Sequence, residues 1–297
     1  MSLGFLLQLV FTGLTMGSIY ALVAIGYNLI YATTGIINFS QGELVMMGGM
    51  VGLAAVTALG LPPHLAILVS LAVVSVLALA VYRIAWQPLS RRQSGGSRLG
   101  WILSTIGIGI VIQNVAMLLW GKEFHPLPAL VPDGNLRLGE LVINSVQAFV
   151  LLAAILLAVL TELLLNYTFL GKAFKATSFN AEAAAYMGIN TPAMVGFSFA
   201  LAGALAALAG FLVSPLTFAS SVLGLIVGLK GFGAAVLGGL GSNRGAMVGG
   251  LILGVMEIIS GTFITAGFRD ITAFLLIILV LVMRPQGLLG QPVTEKA

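Results

Sequence analysis

The chain has 297 residues, of which 59 % are hydrophobic, with 13 Lys and Arg, 9 Asp and Glu, and no Cys. Charged residues make up 7 % of the sequence, against about 25 % in soluble domains, which is too few to cover a soluble fold of this size. The composition therefore excludes a disulfide scaffold, a zinc–thiolate site, a thiol nucleophile, a disordered chain and a nucleic-acid-binding protein.

Long apolar segments follow one another along the chain. A membrane-spanning helix needs about 20 apolar residues, and five charge-free runs reach this length: residues 2–42, 44–82, 99–121, 141–161 and 183–229. The runs are continuously apolar, which argues against the alternating pattern of a transmembrane β-barrel. The sequence predicts an all-α polytopic membrane protein with one transmembrane domain over residues 1–297. We expect eight or nine transmembrane helices, some of them broken at Gly-rich segments, depending on whether residues 4–31 and 44–59 form separate helices.

The distribution of Lys and Arg predicts which loops face the cytoplasm. Nine of the thirteen positive charges lie in loops of one parity, which are residues 83–98, 166–192 and 241–245 and the tail 284–297. The other loops carry Lys122, Arg137 and Arg269, accompanied by acidic residues. We therefore expect a cytoplasmic C-terminus and, with nine spans, an external N-terminus.

Polar residues interrupt the apolar sequence between the first two predicted helices. The interruption consists of Asn38, Ser40, Gln41 and Glu43 after Gly35. Such a break is typical of a discontinuous membrane helix whose free backbone groups line a protected cavity, so these four residues are assigned to a translocation path. The alternative is a cytoplasmic turn in which Asn38 or Ser40 caps the second helix, and both hold if the cap lies at membrane depth.

The predicted cytoplasmic loop at residues 166–192 contains a helical pattern of its own. No helix-breaking residue occurs between Lys172 and Met187, and Gly188 is suited to end a helix. The pattern is amphipathic, with Phe179, Ala183 and Tyr186 or Met187 on one side and Lys175, Ser178 and Glu182 on the other. A short amphipathic helix outside the membrane lies either on lipid or on a partner protein.

The motif Glu182-Ala183-Ala184, followed after three residues by Gly188, resembles the Glu-Ala-Ala…Gly coupling loop of permeases in ATP-binding-cassette importers. The resemblance implies that the loop sits in a cleft of a cytoplasmic ATPase. Small Ala residues would allow close approach, Glu182 would meet a basic group, and Lys172 and Lys175 are assigned to the same contact.

Two ionisable residues lie in the predicted seventh and eighth spans. At a rise of about 1.5 Å per residue, Lys230 is expected roughly 12 Å below the outer boundary of the membrane, and Glu257 roughly 15 Å below the same boundary. Because a membrane-embedded charge is costly, we expect the two to form an intramembrane ion pair. The alternative places Lys230 in a loop between Gly228, Gly231 and Gly233, with its side chain extending to the surface.

Glycines at positions 245, 249, 250 and 254 have the small-xxx-small spacing that allows close helix contact in lipid. We expect this contact to be internal packing or packing against a second permease subunit. The two His residues, His64 and His125, are too isolated to be metal ligands.

Three further segments are similar to the high-affinity branched-chain amino acid permeases, the LivH type of the LivH/LivM family. They are Gly26-Tyr-Asn-Leu-Ile with Gly35-Ile-Ile-Asn38-Phe-Ser-Gln-Gly42-Glu, the Gly-rich segment from Lys230 to Gly250, and Met283-Arg-Pro-Gln-Gly-Leu-Leu-Gly290. The resemblance covers nearly the full chain. Ser40 departs from the Ala that is frequent in the family, and the linker at residues 94–97 is unusually flexible. Related ribose and urea permeases share parts of the pattern.

The resemblance implies a permease subunit that moves branched-chain or other small amino acids inward by alternating access across a bacterial or archaeal inner membrane. The implied partners are two cytoplasmic ATP-binding-cassette subunits, a second homologous permease in a heterodimer, an external substrate-binding protein and the lipid bilayer. The chain has no Gly-x-x-x-x-Gly-Lys-Ser/Thr phosphate loop. We therefore expect no cofactor, with ATP bound by partner subunits, and no enzymatic activity in this chain.

Other functions of an apolar membrane protein fit this sequence less well. An intramembrane enzyme is excluded because the chain lacks a His-Glu-x-x-His site. A stand-alone channel or secondary transporter for small polar solutes is the main alternative, and an importer permease for urea, amides or aromatic acids is another. Against the first, there is no ring of acidic residues for a coupling ion. The substrate itself is left open by the sequence.

Overall fold

The computed structural model describes residues 3–90, 97–138, 141–265, 267–284 and 286–290. Part of the predicted tail, residues 285 and 291–297, lies outside the described residues, as does most of the 94–97 linker. The described α-helices are α1 (Leu3–Thr34), α2 (Gln41–Thr57), α3 (Pro63–Val81), α4 (Gln87–Ser90), α5 (Ser97–Trp120), α6 (Ser145–Tyr167), α7 (Phe169–Phe179), α8 (Ala181–Tyr186), α9 (Thr191–Thr217), α10 (Leu223–Gly238), α11 (Asn243–Phe263) and α12 (Phe268–Met283). A π-helical turn, Tyr82–Trp86, joins α3 to α4. One antiparallel hairpin is formed by β1 (Asn135–Leu138) and β2 (Leu141–Asn144).

The described residues form a mostly α-helical, polytopic fold. Six apolar segments are long enough to cross a membrane by length and composition: α1, α3 with its continuation to Leu89, α5, α6, α9 and α11. The helices α2, α10 and α12 are shorter, with 17, 16 and 16 residues. The total of eight or nine spans therefore stays a prediction, although α1 and α2 are separate helices.

The apolar run at residues 141–161 is not entirely helical, contrary to the prediction of one continuous span. Its first four residues belong to β2, and α6 begins only at Ser145. The boundary lies there because Asn144 Oδ1 accepts hydrogen bonds from the backbone N–H groups of Val146 (2.8 Å) and Gln147 (3.4 Å). Asn144 is thus an N-cap that ends the hairpin and starts the helix.

The bundle has two ends that are distinguished by their connections. One carries α7 and α8, the turn between α10 and α11, and the C-terminal end of α1; we call it the helical-loop end. The other carries the hairpin and the turn between α2 and α3; we call it the hairpin end. At the helical-loop end, Asn28 of α1 donates to Ser242 O (2.9 Å) and accepts from Gly241 N (3.1 Å).

Helix α1 lies at the centre of the bundle. Every residue from Gly17 to Ile30 is buried, and α1 packs against α2, α6, α9, α10 and α11. A helix that is apolar on all sides is expected in such a position. By contrast, α5, α6 and α12 carry large exposed apolar side chains, among them Leu118, Leu152 and Val282.

The glycines of α11 make their close contacts inside this chain. A Cβ on Gly250 would lie 2.5 Å from Ala21 N, and one on Gly254 would lie 2.3 Å from Gly17 N, both on α1. On the other side of α11, Gly245 and Gly249 touch the backbone of α10 at Gly238 and Ala234. The suggested alternative, in which this stripe packs against a second permease subunit, is therefore wrong for these four positions, because their faces are already occupied.

Candidate functional site

The break between α1 and α2 lies deep in the bundle. After α1 ends, Gly35 adopts a positive φ of 68° and the chain turns back. Gln41, the first residue of α2, donates from Nε2 to Ala202 O of α9 at 3.0 Å. Ala202 is 11 residues beyond the start of α9, which corresponds to about 16 Å from the helical-loop end. This distance is about half of a hydrocarbon core of about 30 Å, and α2 begins buried inside the bundle and not at an exposed surface turn.

The four polar residues of the break are all buried. The exposed fractions are 1 % for Asn38, 0 % for Ser40 and Gln41, and 8 % for Glu43. Asn38 Oδ1 accepts from Ser40 N (3.2 Å) and Ser40 Oγ (2.7 Å). Ser40 occupies the N-cap position but makes no side-chain cap hydrogen bond. Ser40 is therefore the N-cap residue of α2, as one alternative predicted, but neither side chain caps the helix, because the two side chains bond within the turn itself.

A glycine on α1 provides the space for Gln41. A Cβ on Gly26 would lie only 2.3 Å from Gln41 Nε2. The missing side chain at this position lets the Gln41 amide cross between α1 and α9 and reach Ala202 O. The first residue of α2 is therefore held by two other helices.

Glu43 lies where α2 meets α10. A Cβ on Gly224 would lie 2.4 Å from Glu43 Oε2, and a Cβ on Gly42 would lie 2.4 Å from Gly224 O and 2.8 Å from Gly228 Cα. The two short helices thus touch backbone to backbone, and Tyr27 of α1 donates to Gly228 O at 3.3 Å. Sequence reasoning identified Glu43 but not its neighbours on α10, because nothing in the spacing of residues reveals which helices become adjacent.

Lys230 and Glu257 form the expected ion pair between α10 and α11. Lys230 Nζ lies 2.8 Å from Glu257 Oε1, and the residues are 8 % and 5 % exposed. The ring of Tyr20 on α1 lies 5.8 Å from Lys230 Nζ. Lys230 is in the middle of α10 and not in a loop, so the glycines around it do not break the helix and the alternative of a surface-seeking side chain is wrong.

The helix predicted between Lys172 and Met187 is in fact two helices. Asn180 adopts an extended conformation between α7 and α8 and caps α8, with Oδ1 accepting from Glu182 N and Ala183 N at 3.0 Å each. The prediction of one amphipathic helix is wrong because an Asn side chain stabilises a helix more at the N-cap than in the interior. The end at Gly188 is as predicted: its φ is 83°, and the hydrogen bonds Gly188 N to Ala185 O and Ile189 N to Ala184 O form a Schellman motif.

The residues assigned to the ATPase contact differ in their availability. Lys172, Glu182, Ala183 and Gly188 are exposed. Ala184 is buried against this chain's own fold, so it is not free to approach a partner helix. Lys175 donates to Asn166 Oδ1. Beside them, three large apolar side chains are more than four-fifths exposed: Phe179, Tyr186 and Met187.

A polar cavity of about 750 Å³ opens at the helical-loop end. It lies between α1, α6, α7 and the turn before α11, and its lining includes Tyr31, Lys175 and Asn243. An ion pair at its edge joins Arg244 Nε to Glu162 Oε1 at 3.0 Å. Sequence reasoning missed Glu162, since its partner is 82 positions away in the chain.

Comparison with known proteins gives one consistent result. A family model described as "Branched-chain amino acid transport system / permease component" matches residues 9–283. The permease protein BraD of Pseudomonas aeruginosa, named for high-affinity branched-chain amino acid transport, is 36 % identical over 98 % of this chain and 97 % of its own length. LivH of Escherichia coli K12, also named as a permease protein of high-affinity branched-chain amino acid transport, is 34 % identical over 98 % of both chains. Among solved structures, PsaBC from Streptococcus pneumoniae in complex with Fab has a similar fold, with a TM-score of 0.50, 15 % identity, and 93 % of this chain and 91 % of that chain covered.

Proposed function

Because the chain belongs to the family of permease components of branched-chain amino acid transport systems, we propose that it is the transmembrane subunit of an importer that moves branched-chain or other small amino acids inward. The observation that carries the proposal is the match to BraD and LivH along nearly the whole of each chain. Six apolar membrane-length helices and a buried polar break support it.

The proposed partners are two cytoplasmic ATPases, a second and different homologous permease, and an external binding protein. The ATPases would dock at the helical-loop end, where Phe179, Tyr186 and Met187 are exposed and the Tyr186 hydroxyl donates to the carboxylate of Glu182. The binding protein would dock at the hairpin end. In this arrangement the helical-loop end and the C-terminus are cytoplasmic and the N-terminus is external. The excess of Lys and Arg in the loops of the helical-loop end supports it.

A continuous series of contacts connects the docking surface to the break. The Schellman motif at Gly188 joins α8 tightly to α9. The first turn of α9 is capped by Asn190, whose Oδ1 accepts from Ala193 N at 3.1 Å. Helix α9 in turn holds Gln41 through Ala202 O and touches Val45 at Gly210. When ATP closes the ATPases, a displacement of α8 therefore reaches the first turn of α2. That displacement is the step by which the bundle changes the side to which it opens.

The substrate class is tested by competition in a reconstituted system. Vesicles would contain this chain with its partner permease and ATPases, with the binding protein and ATP supplied, and uptake of labelled leucine would be measured. We expect uptake that unlabelled isoleucine and valine suppress and that urea and aromatic acids do not. Uptake that is suppressed by urea or aromatic acids but not by branched-chain amino acids would overturn the proposal.

A further inference from the structure

Three buried polar atoms in the break have no hydrogen-bond partner among the described residues. They are Asn38 Nδ2, Gln41 Oε1 and Glu43 Oε2. Buried polar groups without partners are costly, and each one in a folded protein calls for an explanation. Glu43 also has no cationic partner in the described part of the chain, where the buried ion pair is that of Lys230 with Glu257.

Asn38 and Glu43 are linked through Ser40, which contacts Asn38 directly and lies beside Glu43 against α5. Ser40 Oγ is 2.7 Å from Asn38 Oδ1. Glu43 Cγ and Ser40 Cβ lie 3.5 Å and 3.7 Å from the position that a Cβ on Gly109 of α5 would occupy. Ser40 and Glu43 therefore both lie against α5 at Gly109, and Asn38 is bonded to Ser40 beside them.

The unpartnered atoms of Asn38 and Glu43 differ in chemical character: one is a hydrogen-bond donor and the other is an acceptor. Asn38 presents an amide N–H donor just before the N-terminus of α2, where the helix dipole favours negative charge. Glu43, in the first turn of the helix, presents a carboxylate acceptor. The head group of an α-amino acid has the complementary pair, since its carboxylate accepts hydrogen bonds and its ammonium group donates them.

A small cavity adjoins Asn38. Its walls are largely apolar and include Ile30, Ile37 and Phe199, together with Trp86 and Trp101. Both indole N–H groups are buried and lack a partner among the described residues. In this conformation the cavity has room for about one water molecule, so a branched side chain enters only when the surrounding helices separate.

We propose that Asn38 and Glu43 form a binding station for the zwitterionic head group of an amino acid in transit, with the aromatic cavity beside Asn38 receiving its aliphatic side chain. This inference rests on the proposed function and assigns residues to it. The ammonium group binds Glu43 and the carboxylate binds the Asn38 amide. Helix α5 covers the station and packs mainly on α2, α4 and the π-helical turn, so its displacement opens the station.

The test is direct binding of labelled leucine to the assembled transporter in lipid discs, without binding protein. Two competitors each lack half of the head group: 4-methylpentanoate has no ammonium group, and 3-methylbutylamine has no carboxylate. We expect saturable leucine binding, with both competitors about 10- to 100-fold weaker, as for the loss of one hydrogen bond to a charged group.

Two isosteric variants separate the roles of the two residues. Glu43→Gln is expected to weaken leucine binding about 10-fold or more while leaving 4-methylpentanoate unchanged. Asn38→Asp keeps the Oδ1 acceptor used by Ser40 but removes the amide donor, so leucine is expected to weaken and 3-methylbutylamine to be retained. This crossed pattern cannot arise from misfolding, which would abolish every ligand together.

A pair of neighbouring glycines provides a steric control. A Cβ on Gly109 meets Glu43 and Ser40 at ordinary contact distances, whereas one on Gly107 meets nothing within 4 Å. Gly109→Ala is expected to weaken leucine binding and Gly107→Ala to leave it unchanged. Two results would contradict the binding station, provided that the wild-type complex still takes up leucine with ATP. One is that the wild-type complex binds no leucine, and the other is that the Glu43→Gln and Asn38→Asp variants bind leucine normally. If branched-chain amino acids are not transported at all, it is the proposed function that fails.

Discussion

The pairing of Lys230 with Glu257 has a direct consequence for stability. Breaking a buried ion pair by removing one partner leaves an uncompensated charge, which typically costs about 3–5 kcal/mol. We therefore predict that Glu257→Gln sharply lowers the amount of folded protein and its thermal stability, and that adding Lys230→Met restores much of both. The measurement is thermal unfolding of the detergent-purified protein. An unrecovered double variant would show that the pair does not stabilise the fold.

The exposed ion pair of Arg244 with Glu162 provides the matched control for this stability measurement. Arg244 is largely solvent-accessible while it bonds to Glu162, and exposed ion pairs contribute about 0–1 kcal/mol. Arg244→Met is accordingly expected to change the unfolding temperature far less than Glu257→Gln does.

Gly26 is predicted to be necessary for the position of Gln41. In Gly26→Ala the new methyl group would overlap Gln41 Nε2, and the amide would lose its hydrogen bond to Ala202 O. Overpacking of this kind costs about 1–3 kcal/mol, so the variant should unfold at a lower temperature than the wild type. Gly107→Ala, in an exposed part of α5 with open space around it, should not be destabilised. Equal stability of the two variants would contradict the contact.

Contacts between residues were predictable from the sequence where they depend only on the rise per residue of a helix. The pairing of Lys230 and Glu257 follows from a rise of about 1.5 Å per residue on antiparallel helices. The surroundings of Glu43 could not be predicted in the same way. They depend on Gly224 and Gly109, which come from helices far away in the chain, and hydropathy carries no information about which helices are neighbours.

Among the helices, α8 is the element whose geometry depends most on a single cap. Asn180→Ala removes the acceptor for Glu182 N and Ala183 N, and loss of an N-cap costs about 0.5–2 kcal/mol. Because α8 has only six residues, we predict that the transporter assembled with this variant takes up less leucine for each ATP that its ATPase subunits hydrolyse. Asn180→Asp retains a capping oxygen and should behave as the wild type. A variant Asn180→Ala with an unchanged ratio of uptake to hydrolysis would show that α8 does not couple the two.

The break at Asn180 shows why local pattern reasoning misplaced this element. The segment from Lys172 to Met187 is rich in Ala, so helix propensity alone favours one continuous helix. A side-chain cap competes with that propensity, and the outcome is decided by how α7 and α8 pack against α6 and α9. Similarly, the residues of β2 are as apolar as a membrane helix, and only the Asn144 cap separates them from α6.

For the bundle as a whole, the orientation can be tested with single cysteines, since the native chain has none. Leu59 is exposed at the hairpin end and Phe179 at the helical-loop end. We predict that a membrane-impermeant maleimide labels Leu59→Cys in intact cells. The same reagent should label Phe179→Cys only after the membrane is permeabilised. The reverse pattern would place the helical-loop end outside and contradict the assignment of the docking surface.

The class of fold was predictable because apolar runs of membrane length leave few alternatives. The number of spans was not, because α2 and α10 begin inside the bundle and are shorter than a full crossing. Their depth is set by Gln41, Gly42 and Gly224, whose contacts are made with other helices. The signature from Gly26 to Glu43 nevertheless coincides with the break between α1 and α2, where its polar residues are buried.

The central claim is that this chain moves amino acids only when ATPases drive it. Its most direct test compares leucine flux into vesicles containing the chain alone with flux into vesicles containing the complete transporter, with and without ATP. We predict no flux through the chain alone and ATP-dependent accumulation against a gradient by the complete transporter. Leucine flowing down its gradient through the isolated chain, without any ATPase, would contradict the account and identify a channel.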